Sequence, residues 1–203
     1  KVKIDDENFK GCTALEHFEI PSTTTSISRG IFSECTSLKE VIIPSSVKTI
    51  DEVAFYKCIS LTKIVIPSSV EVIKNSAFRN MSSLIEISIP SSVKIIEVLT
   101  FSNCKNLAKI TFENPSSLIK LESSIFDSCT SLTEFTVPSS VKIMKNYIFY
   151  KCLSLKKVVF ENPSNVEEIG CCVFRNCTSL SELEIPPSVT KIGSLAFMNC
   201  SSL

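Results

Sequence analysis

The chain of 203 residues contains a single histidine, His17, and only four glycines. One imidazole, with no Cys or Ser held beside it by spacing, gives no nucleophile–base pair. The glycines never gather into a loop that could cradle phosphate. Paired buried carboxylates and metal-ligand spacings are also missing. The expectation is therefore a protein that is not an enzyme, with no cofactor and no metal. Neither sign of charge is in excess, with 21 Lys and Arg against 21 Asp and Glu. That balance argues against nucleic acid or anionic lipid as a partner. No run of about 18 apolar residues occurs, so direct membrane insertion is not expected. The amino end, KVKIDDENF, lacks the apolar core of a secretion signal.

What is present is a period. Phenylalanine recurs at Phe9, Phe32, Phe55, Phe78, Phe101, Phe126, Phe149, Phe174 and Phe197, in steps of 23 residues or, twice, 25. A fixed period in this range is the signature of a stacked solenoid. The expected organisation is one array over residues 1–203, about eight coils of 23 or 25 residues, cut mid-repeat at both ends. Lys1 to Asn8 read as the back half of a repeat and Leu203 as a stop inside another, so the sequence is expected to be a piece of a longer protein.

The stretch Leu61 to Phe78, LTKIVIPSSVEVIKNSAF, shows how one coil is built. Ile64 and Ile66 alternate with Val65, the period of two that a strand with one buried face requires. Pro67 has no amide hydrogen and ends the strand; Ser68 and Ser69 supply turn chemistry. Val70 and Ile73 turn inward again on a short second strand. Asn75 to Phe78 is expected to form a single helical turn. One coil cannot close its own apolar face, so stacking must seal it. The fold class is then a repeat solenoid, a right-handed coil because parallel crossovers coil that way. Its parallel β-sheet is expected on the concave face, with short second strands and single helical turns on the other side.

Eight cysteines share one repeat position: Cys12, Cys35, Cys58, Cys104, Cys129, Cys152, Cys177 and Cys200. A row of one thiol per coil is no metal site and reads as buried, reduced, small apolar filler. Met81 in the same row supports that reading. Cys171 and Cys172 stand outside the row, where other copies carry Glu52/Val53 or Asn75/Ser76. They are expected at an exposed turn and are the candidate reactive or intermolecular thiols. A polar row of Thr23, Ser46, Ser69, Ser92, Ser117, Ser140, Asn165 and Ser188 is expected to satisfy backbone groups at the turn. Asn80-Met-Ser, Asn176-Cys-Thr and Asn199-Cys-Ser fit the glycosylation pattern, which the repeat consensus also generates by chance.

Outward strand positions are the candidate binding face. One row reads His17, Glu40, Lys63, Glu86, Lys109, Glu134, Lys157, Glu182, alternating in sign from Glu40 onward. Unlike charges on adjacent strands attract, so this row is either a self-neutralising ladder or part of a partner site. Beside it runs a strip of Ile42, Val65, Ser88, Thr111, Thr136 and Val159, between Glu19 and Glu184. The two 25-residue coils insert Glu113-Asn114 and Glu161-Asn162 just before the turn proline. These are candidate rim residues, expected to protrude as acidic bumps.

The pattern L-x-x-I-x-I-P-S-S-V-x-x-I-x-x-x-A-F-x-x-C-x-S resembles the BspA-type leucine-rich repeat, also described from a treponemal protein. The Pro and Phe-x-x-Cys positions carry the resemblance over essentially the whole chain. The usual Gly after the second Ile is present only as Gly170 and Gly193; Asp51, Lys74, Glu97, Glu122 and Lys145 replace it. The resemblance implies a leucine-rich-repeat coil and a cell-surface or secreted protein that adheres through a protein or glycan partner. The alternatives are an intracellular, cytoplasmic leucine-rich-repeat scaffold, which reduced cysteines would suit, and a structural spacer without a ligand.

Overall fold

A computed structural model describes residues 5–203. Of the half-repeat expected over Lys1 to Asn8, residues 1–4 lie outside that range. Among the described residues the architecture is a solenoid of parallel strands with no helix. In each coil the Ile-x-Ile pattern puts one face inward. Ile64, Ile66 and Phe78 are buried, and Val65 between the two isoleucines is 65% exposed. In the final coil Leu183 is half-buried and Ile185 turns out to solvent.

The first strands of successive coils lie side by side in parallel at equivalent repeat positions: His17↔Glu40, Glu86↔Lys109, Glu134↔Lys157 and Lys157↔Glu182. This sheet falls into three pieces, His17–Glu19 with Glu40–Ile42, Glu86–Ile89 with Lys109–Phe112, and Glu134–Val137 with Lys157–Phe160 and Glu182–Leu183. Residues 63–66 keep the alternating burial of a strand but join neither neighbouring ladder. The short second strands form two four-stranded sheets, divided between Ile95–Ile96 and Lys120–Leu121. The Glu113-Asn114 insertion falls at that division. The Glu161-Asn162 insertion leaves its ladder intact, with Ile143 paired to Glu168, so an insertion alone does not break the sheet.

The third side differs from the helical turn expected over Asn75 to Phe78. It is a run of consecutive turns in which alternate amides point along the array. The N–H groups of Val53, Phe55 and Lys57 donate to the carbonyls of Asn75, Ala77 and Arg79 in the next coil, at 3.0, 2.8 and 3.0 Å. Between them Ala54, Tyr56 and Cys58 close local i−3 bonds at 3.3, 3.1 and 3.1 Å. The cross-coil bonds recur from Glu7→Arg29 to Asn176→Met198 without interruption. A helix is excluded because two residues per coil, four apart, adopt positive φ: Val53 and Lys57 at 49° and 58°, Ser76 and Asn80 at 56° and 62°. Left-handed residues cannot continue a right-handed helix. The turns form because each coil satisfies its amides on its neighbour, and buried amides need partners.

Inside these three sides the phenylalanines make one file from Phe9 to Phe197. Consecutive ring centroids lie 5.3–5.8 Å apart, and the planes are within 18° of parallel. Near-parallel rings at that separation are offset-stacked, each pair adding about 0.5–1.5 kcal/mol beyond its buried area. Gly170 and Gly193 do not have positive φ; they permit close approach between coils. A Cβ on Gly170 would lie 2.7 Å from Asn146 Oδ1, and one on Gly193 2.5 Å from the Cys171 nitrogen.

Candidate binding surface

All twelve outward residues singled out on the first strands are exposed: Glu40, Ile42, Lys63, Val65, Glu86, Ser88, Lys109, Thr111, Glu134, Thr136, Lys157 and Val159. The alternation of the strand dictates this, since Ile64, Ile87, Ile110, Phe135 and Val158 take the inward positions. The alternating charge row closes only at its ends. His17 Nδ1 lies 3.2 Å from Glu40 Oε2, and Lys157 Nζ donates to Glu182 Oε2 at 2.7 Å. Among the described residues, Lys63, Glu86, Lys109 and Glu134 form no ion pair within 4 Å. Cross-coil pairs are instead closed elsewhere, as in Lys94–Glu71 at 2.7 Å, Lys191–Glu168 at 2.9 Å and Lys74–Asp51 at 3.1 Å. The middle of the outward row is thus charged, wet and uncommitted.

Two hollows lie where this row meets the rim. One, of about 300 Å³, is lined by Lys63, Val65, Glu86, Ser88, Lys109, Thr111 and, at its edge, Glu113. The other, of about 720 Å³, combines Lys157, Val159, Glu161 and Asn162 with Phe160, Glu184 and Pro187. Strip and rim residues predicted separately are therefore neighbours. The smaller hollow has further coils on both sides, whereas the larger one ends on Glu182–Leu183, the last first strand.

The rim glutamates are not free bumps. Glu113 Oε2 accepts from the Ser91 amide at 3.2 Å, and Glu161 Oε2 accepts from the Ser139 amide at 2.8 Å. Ser117 Oγ donates to the Ser91 carbonyl and Asn165 Nδ2 to the Ser139 carbonyl. Each inserted coil thus grips both polar groups of one serine in the preceding coil. Asn114 and Asn162 remain exposed. In three of the 23-residue coils the polar row acts as expected, with Ser46, Ser69 and Ser92 hydroxyls donating to the carbonyls of Thr24, Val47 and Val70 at 2.6, 2.6 and 2.7 Å. Ser140 and Ser188 hydroxyls are buried without a partner.

The cysteine row does more than fill space, and the sequence reasoning missed it. Cys35, Cys58, Cys104, Cys129, Cys152, Cys177 and Cys200 each donate Sγ–H to the phenylalanine carbonyl of the coil before, at 3.0–3.2 Å. The signal was the Phe-x-x-Cys spacing, broken only at Met81, which places a weak donor at the Phe carbonyl of the preceding coil. Burial keeps these thiols protonated, pushing Cys35 up to about 11 and Cys104 up to about 12. Of the two cysteines outside the row, Cys171 is half-exposed. Cys172, expected at an exposed turn, is buried, its Sγ 3.9 Å from the Ser194 carbonyl. All ten cysteines are free. Among the described residues no three His, Cys, Asp or Glu side chains converge as for a metal, and no helix is long and apolar enough to cross a membrane.

The family model for the BspA type leucine rich repeat region matches residues 2–116 and 112–203. A leucine-rich repeat protein from Bacteroides ovatus has a similar structure, with TM-score 0.68 and 25% identity over 98% of this chain and 69% of that one. The Treponema pallidum leucine rich repeat protein TpLRR superposes with TM-score 0.59 and 28% identity, covering 88% of this chain and 71% of that one. The pneumococcal vaccine antigen PcpA shares the fold, with TM-score 0.65 and 23% identity over 97% of this chain and 61% of that one. No curated protein matches the chain by sequence.

Proposed function

The chain belongs to the BspA-type leucine-rich repeat family, and from that membership we propose a non-catalytic binding and adhesion module. It engages a protein or glycan partner through the outward face of the first strands and its rim, as part of a cell-surface or secreted protein. The observation that carries this reading is the uncommitted middle of the outward row. Among the described residues, Lys63, Glu86 and Lys109 stand without ion-pair partners around the hollow at Val65 and Ser88, and Glu134 is likewise unpaired further along the row, while cross-coil pairs such as Lys94–Glu71 and Lys191–Glu168 close elsewhere. Exposed charges that do not neutralise one another are available to a partner, where complementarity sets specificity and on-rate. Free cysteines are compatible with an oxidising compartment here, because Cys35, Cys58, Cys104, Cys129, Cys152 and Cys177 are buried, each donating its thiol to a carbonyl. They suit a cytoplasmic scaffold equally, which is the second reading.

The test is binding of the wild-type chain, Val65→Lys and Val159→Lys to arrayed extracellular proteins and glycans. The proposal expects one or more array members to bind the wild type and to lose affinity for the variants. Equal binding by variants that melt like the wild type would contradict it.

A further inference from the structure

The tetrapeptide Phe-Tyr-Lys-Cys occurs twice, at 55–58 and 149–152, and each copy is followed in the next coil by Phe-Arg-Asn, at 78–80 and 174–176. The residue after the cysteine is aliphatic and exposed in just these two coils, as Ile59 and Leu153. The other coils carry Thr13, Thr36, Lys105, Thr130, Thr178 and Ser201 there, and Ser82 follows Met81. The turn ladder puts the two halves together, since Lys57 and Lys151 amides donate to the Arg79 and Arg175 carbonyls, both at 3.0 Å. Lys57 Nζ lies 5.2 Å from the centre of the Tyr56 ring and Lys151 Nζ 5.1 Å from that of Tyr150. The Arg175 guanidinium lies 5.8 Å from the Tyr150 centroid. Arg79 Nε and Arg175 Nε are both buried with no hydrogen-bond partner.

We propose that these clusters are two related docking sites, on the turn side of the array, for an acidic polypeptide segment that also carries apolar residues. Tyrosine and arginine are the residues enriched in interface hot spots, and an exposed aliphatic residue stands beside each pair. The outward strip of the first strands has neither an aromatic residue nor an arginine. An anion is called for because, among the described residues, Arg79, Lys151 and Arg175 form no ion pair within 4 Å. Asp127 acts on Lys151 and Arg79 only at longer range, and burial holds its own carboxyl above the usual range. A guanidinium takes a carboxylate in bidentate geometry. The tyrosine rings and Ile59 or Leu153 favour a polypeptide over a sulfated glycan, which offers little apolar surface. The sites are four stacking steps apart, roughly 19 Å at strand spacing, a distance that about six extended residues span. They are not of equal strength, for Lys57 is already held by Glu34 at 2.9 Å while Lys151 has no such partner.

The probes are a fluorescein-labelled Leu-Glu-Leu block and two such blocks joined by a four-residue Gly/Ser spacer, with heparin as the glycan arm. Fluorescence polarisation should show the two-block peptide binding at least about tenfold tighter than the single block, since the second contact becomes intramolecular. Arg175→Ala should weaken the single block by about tenfold, the loss of one charged hydrogen-bond pair. Glu34→Ala should strengthen binding by releasing Lys57, a gain that misfolding cannot mimic. Val65→Lys should change nothing, which separates this surface from the sheet-face reading. Equal affinity for the two peptides, no loss in an Arg175→Ala chain of unchanged melting, no gain in Glu34→Ala, or preference for heparin would each overturn the proposal.

Discussion

The thiol of Cys58 donates to the carbonyl oxygen of Phe32, 3.1 Å away in the preceding coil. That carbonyl already accepts the Cys35 amide of its own coil at 3.0 Å, so the thiol fills its second lone pair. The Cys104 thiol likewise donates to the Phe78 carbonyl, at 3.1 Å. Cys104→Ala removes this bond and leaves a small void in a site with no solvent. The expected loss is about 1–2 kcal/mol, the sum of a weak hydrogen bond and a minor cavity. Denaturant unfolding measures it, and a change within error would mean the thiol is filler alone.

The same thiols make stability alkali-sensitive. A free thiol loses its proton near pH 8.5, whereas burial holds folded Cys35 at about 11, Cys104 at about 12 and Cys129 and Cys152 well above the usual value. Above pH 8.5 the unfolded chain therefore binds fewer protons than the folded one. The contribution is fully present below that pH and is lost as pH rises toward the folded values. Each thiol removes up to about 1.4 kcal/mol per pH unit in that window. Unfolding midpoints under reducing conditions should fall sharply between pH 8 and pH 10; a flat profile would contradict the burial of the row.

Val53 adopts φ of 49°, a left-handed conformation at a β-branched residue. The equivalent position in the preceding coil is Gly30, at φ 59°. A left-handed L-residue costs about 1–2 kcal/mol, and glycine avoids this at an entropic cost of about 0.5–1 kcal/mol. Val53→Gly should therefore be neutral to stabilising by up to about 1 kcal/mol, raising the melting temperature by no more than a few degrees. Calorimetry decides it, and a loss of more than about 1 kcal/mol would show that the local backbone has been misread.

Glu161 should matter to stability through its acceptor oxygen. Glu161→Ala leaves the Ser139 amide without its partner and should cost about 1 kcal/mol, while Glu161→Gln retains an acceptor and should cost less. Thermal melts of the two variants compare them directly; equal losses would mean that the charge, rather than the hydrogen bond, is what counts.

The inward set was legible because the strand period and the Phe step leave no other arrangement: Ile64, Ile66 and Phe78 had to face a shared interior. The turn side was not legible. Its backbone is set by bonds to the next coil, which override the local preferences of Val53, Leu99 and Tyr147 for negative φ. At the candidate site the exposure of Lys63, Val65 and Glu86 followed from alternation alone. Which charges pair did not, because long side chains choose among several neighbours at similar cost. Glu113 and Glu161 looked like bumps in one dimension, and only stacking shows that each reaches back to a serine amide one coil away.

Amide hydrogen exchange across the turn side tests the stacked array most directly. Phe55, Phe78, Phe101 and Phe126 each donate an amide to the following coil, at 2.8, 3.0, 2.9 and 3.0 Å. These four amides should be strongly protected and should share one opening free energy, as in a single cooperative array. Rapid exchange at Phe78 or Phe126 while the strand amides of Ile87 and Phe135 stay protected would show that the turns do not join the coils.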